Sequence, residues 1–67
     1  MPTIRIDLIE GRNLEQKREL VKGITEVVLR TCNTRPERVV IYINEIPVEH
    51  AARGGILRCD EEKPSSN

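Results

Sequence analysis

The run RVVIYINEI, residues 38–46, is apolar on both faces as far as Asn44. A strand of that kind has to be covered on both sides of its sheet. One segment offers cover: from Leu14 to about Cys32, the apolar residues Leu20, Val21, Ile24, Val27, Val28 and Cys32 recur at helical spacing. Glu15, Lys17, Arg18, Glu19, Lys22 and Glu26 fall mostly on the opposite face of that helix. A single helix covers one face of a small sheet and leaves the other open. The second face must therefore meet another copy of the chain.

The remaining pattern supplies the partner strand. TIRIDLI alternates, with Ile4, Ile6 and Leu8 on one face and Thr3, Arg5 and Asp7 on the other, which reads as a half-buried strand. EGRN turns the chain, and Asn13 with Gln16 three residues later forms a capping-box signature for the helix. Pro36 biases Arg35 away from helical angles and closes the helical segment. Gly23 inside it costs about 1 kcal/mol against alanine, a cost consistent with close packing. Strand, crossover helix and strand make a βαβ unit with parallel strands. After Pro47 the chain is irregular up to Gly54-Gly55, beyond which ILRC pairs as a short hairpin. The expected fold is therefore in the α+β or α/β class. It is a single βαβ unit, residues 1–59, with a short C-terminal β-hairpin, followed by a polar tail over residues 60–67.

Length and charge bound the function. A chain of 67 residues buries only about 60% of its unfolded surface, and such cores seldom supply more than about 3–5 kcal/mol. Disulfides, metals or self-association usually make up the difference. Cys32 and Cys59 are the only cysteines and His50 the only histidine, with no metal-ligand spacing among them. A single disulfide is the alternative to two free thiols, which are expected in a reducing compartment. Oligomerisation remains as the route to stability. Eleven basic and eleven acidic side chains balance, and Tyr42 is the sole aromatic. This pattern lacks the basic stripe and stacking residues of a nucleic-acid binder. No apolar run reaches membrane-spanning length and no signal-peptide pattern opens the chain, so a cytoplasmic protein without a membrane or nucleic-acid partner is expected.

Pro2 directly follows Met1. A proline suits the first position of a strand, but with Met1 removed it carries a secondary α-amine. An α-amine titrates near ~7.7–8.0, in the range that serves a general base at neutral pH. Pro2, the stretch LIEGRNLEQKRELV, the strand VVIYINEI and Gly54-Gly55 together resemble the 4-oxalocrotonate tautomerase family, small-subunit branch of the tautomerase superfamily, over Pro2 to about Leu57. The resemblance implies subunits that dimerise into a four-stranded sheet and assemble as a trimer of dimers. It also implies cofactor-independent keto–enol isomerisation of small unsaturated 2-hydroxy or 2-oxo acids, with Pro2 as general base. Arg12 matches the family arginine that binds the substrate carboxylate, a task its two-pronged guanidinium suits better than a lysine.

Two positions depart from the family pattern. Val40 stands where the family carries a second functional arginine, and Ala51 where it carries a pocket aromatic. Arg38, two residues before Val40 and on the same strand face about 6.6–6.8 Å away, is the candidate replacement. Arg53 and Arg5 are further candidates, and Tyr42 shares that face as a substitute wall. The alternative functions are a hydratase or dehalogenase on the same scaffold, or a non-catalytic or divergent subunit of a homo- or hetero-oligomer. His50, Cys32 and Cys59 are read as a loop residue, a core residue and an idle thiol.

Overall fold

The alternation in TIRIDLI becomes strand β1, Thr3–Ile9, whose side chains are exposed and half-buried by turns up to Leu8. The computed structural model describes residues 2–61; Met1 and most of the expected polar tail, residues 62–67, lie outside the described residues. Helix α1 follows over Leu14–Cys32 and opens with the expected capping box. The Asn13 side chain accepts from the Gln16 amide at 2.8 Å, and the Gln16 side chain accepts from the Asn13 amide at 2.9 Å. Two amides that a helix start would leave without partners are thereby satisfied. The helix ends at Asn33 in the left-handed region, φ 49°, a conformation asparagine tolerates better than most residues.

The chain then makes a 3₁₀ turn, Pro36–Arg38, before strand β2, Val40–Ile46. β1 and β2 pair in parallel, with Thr3 opposite Val40 and Ile9 opposite Ile46. The expected βαβ unit is therefore the fold. Toward α1 the sheet presents Ile4, Ile6, Ile41 and Ile43, all half-buried. Glu45 belongs to the same side, where it meets Lys17 of α1 at 2.6 Å. A second 3₁₀ turn, Val48–His50, leads to the small antiparallel hairpin of β3, Ala52–Arg53, and β4, Ile56–Leu57. Gly54 and Gly55 both have positive φ, 64° and 85°, as a two-residue hairpin turn of this hand requires.

Two sequence expectations are corrected by packing. Cys32 is exposed rather than core, and Val27 is 48% exposed. The apolar arc of α1 is wider than a two-stranded sheet can cover. Its outer part, Leu20, Gly23, Ile24, Val27 and Val28, lines an open groove bordered by Glu19. A methyl group built on Gly23 would meet nothing within 4 Å in this chain. Among the described residues no side chain is fully buried. The fold of one chain thus leaves both the helix groove and the outer face of the sheet without cover.

Candidate functional site

The two ends of the sheet carry different halves of the predicted site. At the end where β1 begins, the half-buried Pro2 is fixed by its carbonyl, which accepts from the Val40 amide at 3.1 Å. It lines an open cleft of about 640 Å³ with Cys32, Asn33, Thr34, Arg35 and Arg38. These residues come from the end of α1 and the turn that follows it, so the cleft is made where the crossover returns to the sheet.

Arg38 reaches this cleft by a different route from the one its sequence position implied. It is the last residue of the 3₁₀ turn and not part of β2, so strand spacing from Val40 does not describe it. Its amide donates to the Arg35 carbonyl at 2.9 Å, and the Val39 amide donates to the Pro36 carbonyl at 3.1 Å. Those two bonds close the turn, and the Val40 amide that follows it ties the chain to the Pro2 carbonyl. Arg35, which sequence reading passed over, enters the same cleft from the position before Pro36. Its extended backbone, φ −113° and ψ 154°, is the conformation a residue preceding proline favours. The spacing Arg-Pro-x-Arg was the signal, because residues three apart on a 3₁₀ turn lie on the same side.

Arg12 lies at the other end. Gly11, at φ 131°, turns the chain so that the Arg12 guanidinium folds back and its Nη1 donates to the Ile9 carbonyl at 3.1 Å. Leu8, Gln16, Lys17 and Leu20 border it in an open depression of about 240 Å³. Ala51 and Arg53 are close by in the chain's geometry, lining with Ile9, Ala52, Arg58 and Glu61 a hollow of about 130 Å³. With Pro2 before β1 and Arg12 after it, a rise of about 3.3 Å per residue separates the two by roughly 20 Å. No single small acid bridges that distance. Pro2 and Arg38 are brought together within one chain, whereas Pro2 and Arg12 are not.

The other candidates are occupied elsewhere. Arg5 stacks over Tyr42, 5.0 Å from the ring centroid, on the outer face of the sheet, and beside that pair Asn44 donates to Asp7 at 3.1 Å. Tyr42 is 53% exposed and faces away from α1. His50 is exposed in its 3₁₀ turn. The Cys59 thiol is held above its ordinary pKa by local desolvation and then by the Asp60 and Glu49 carboxylates, and both cysteines are free and exposed.

Comparison with known proteins shows the family and the fold. A family model described as tautomerase enzyme matches residues 2–57. The chain is 39% identical over 62 residues to the 2-hydroxymuconate tautomerase of Bacillus subtilis, covering 92% of this chain and 100% of that one. It superposes with a TM-score of 0.82 and 48% identity on a 4-oxalocrotonate tautomerase isozyme from Methylibium petroleiphilum, covering 87% of this chain and 91% of the other. The chain belongs to the 4-oxalocrotonate tautomerase family. It is also similar to a heterohexamer 4-oxalocrotonate tautomerase from Chloroflexus aurantiacus, with a TM-score of 0.83 and 32% identity over 90% of this chain and 97% of that one. Among the described residues no helix is long and apolar enough to cross a membrane. The βαβ unit with its hairpin is the architecture of these tautomerase relatives.

Proposed function

We propose that this tautomerase-family chain is a cofactor-independent isomerase of small unsaturated 2-hydroxy or 2-oxo acids, with Pro2 as general base once Met1 has been removed. The observation that carries this reading is the placement of Pro2 in a cleft that also holds Arg38. Guanidinium charge beside the prolyl amine disfavours its protonated form, so more of the nitrogen stays as the free amine that can accept a proton. The nitrogen takes the proton of the enol hydroxyl. The oxygen's electrons form the ketone, the double bonds shift along the chain, and the distal carbon accepts a proton back from the prolinium. The reaction is an isomerisation, so no electrons are gained or lost and no water enters. Arg38 binds a carboxylate and stabilises negative charge as the dienolate develops.

Arg12 completes the site from a second chain. Its separation from Pro2 within one subunit supports an assembly in which the start of β1 in one copy meets the end of β1 in another. A homo-hexamer of three dimers satisfies this, and the heterohexameric relative supports a second reading in which a different subunit supplies that half. Under the second reading Val40 and Ala51 mark a chain whose missing groups come from its partner.

Replacing Pro2 with alanine tests the proposal in protein whose intact mass shows that Met1 is absent. Ketonisation of 2-hydroxymuconate should fall by about 10²–10⁴-fold, the range for a positioned acid–base group. A rate within a factor of about two of the parent removes Pro2 from the chemistry.

A further inference from the structure

The Pro2 cleft contains a second guanidinium that the family resemblance does not assign. Arg35 and Arg38 both line it, along with Cys32, Asn33, Thr34 and Pro2, and no carboxylate is among the lining residues. Two guanidinium groups lining one cleft make it attractive to an anion. The C-terminus of α1 opens onto the same cleft, and its dipole amounts to about half a negative unit charge. That is too little to neutralise two full positive charges.

The acidic partner of Arg35 is a loose one. Glu37 meets Arg35 through Nε, at 3.5 Å, so the pair engages the inner nitrogen of the guanidinium. Among the described residues the Arg35 guanidinium makes no hydrogen bond beyond this ion pair, and the Arg38 guanidinium has neither a hydrogen-bond nor an ion-pair partner. Both side chains are rooted in one hydrogen-bonded 3₁₀ turn, which fixes their bases relative to each other and to Pro2.

We propose that Arg35 is a substrate-specificity residue, which with Arg38 holds one carboxylate of a dicarboxylate substrate from the same chain as Pro2. The other carboxylate is left to Arg12 of a second copy. The inference rests on reading the Pro2 cleft as the substrate site, but its test does not depend on turnover.

The test compares two ligands by isothermal titration calorimetry on the full, Met1-free chain. The probes are trans,trans-muconate, a six-carbon dicarboxylate without the reactive hydroxyl, and sorbate, the same diene with a methyl group replacing one carboxylate. Arg35→Gln should weaken muconate by about tenfold or more, as expected for loss of a charged hydrogen-bonding partner, and sorbate by less than about twofold. Arg35→Lys, which keeps the charge but loses the fork, should fall between. Thermal melting of both variants at the parent temperature shows that the fold is kept. Equal weakening of both ligands, or no weakening of muconate, overturns the assignment. Pro2→Ala separates the two ideas. If that variant still turns over substrate while the Arg35 ligand preference holds, the role of Pro2 fails and that of Arg35 stands. If Pro2→Ala is inactive and Arg35→Gln binds muconate normally, only Arg35 is lost.

Discussion

The two ends of the β1–β2 sheet differ in what they offer a substrate. The Pro2 end has the candidate base, two guanidinium groups and a cleft of about 640 Å³. The Arg12 end has a guanidinium pinned to the Ile9 carbonyl, and two smaller depressions of about 240 and 130 Å³. The proposed function makes each end half of a site, and a parallel two-stranded sheet keeps the two ends apart. In a parallel pair both strands begin at one end and finish at the other, so residues before and after a strand never meet within the subunit. Two copies related by a two-fold axis bring unlike ends together, since such an interface matches each surface against its counterpart in reverse. Under the proposed function the oligomer would therefore be part of the site as well as a source of stability.

Mixing two defective variants breaks or establishes this comparison, with the largest expected effect. Pro2→Ala and Arg12→Ala should each lose at least about 100-fold in kcat/KM alone. Unfolded together in equal amounts and refolded, they should recover about a quarter of the parent activity. That is the share of sites that draw an intact Pro2 and an intact Arg12 from different chains under random pairing. If both halves acted within one subunit, every site would remain defective and mixing would restore nothing.

The helix groove tests the same idea from the packing side. Leu20, Gly23, Ile24, Val27 and Val28 expose an apolar strip, and Val27 lies in it at 48% exposure. In an isolated chain Val27→Asp would change stability by only a few tenths of a kcal/mol, as exposed substitutions do. Where another copy covers the strip, the carboxylate is buried without a partner and costs several kcal/mol. The expected outcome is a shift from oligomer to smaller species in size-exclusion chromatography, with activity lost in parallel. An unchanged elution volume and unchanged activity would place the contact elsewhere.

The difference between the two ends also explains what the sequence made visible. Local signals carry through to the fold: the alternation in β1, the Asn13–Gln16 capping box and the Gly54-Gly55 hairpin. Each of these is decided by a few neighbouring residues. Arg38 reads as a strand residue because it opens the run RVVIYINEI, yet Pro36 starts a 3₁₀ turn that takes Arg38 out of that register. Arg35 was missed for the same reason, since eclipsing across the turn is visible only once the turn is known. Cys32 was read as core because it continues the apolar helical spacing, but two strands are too narrow to cover the whole arc. The separation of Pro2 from Arg12 was implicit in the length of β1 and follows from counting residues along it.

The two free thiols give the smallest effect and a direct probe of the two environments. Cys32 lines the Pro2 cleft, whereas Cys59 lies in the 3₁₀ turn after the hairpin, beside Asp60. The raised pKa of Cys59 lowers its thiolate fraction at a given pH, and thiolate is the species that reacts. With iodoacetamide near pH 8, Cys59 should therefore alkylate more slowly than an unperturbed exposed thiol, and its rate should keep rising above the ordinary thiol range. Its modification, followed by peptide mass analysis, should leave turnover within about twofold, because Cys59 lines neither the Pro2 cleft nor the depressions at the Arg12 end. Alkylation of Cys32 in a Cys59→Ser variant should instead raise KM for a dicarboxylate, and saturating muconate should slow the modification. If Cys59 alkylation impaired turnover as much as Cys32 alkylation, the cleft beside Pro2 would lose its claim to be the end that receives substrate.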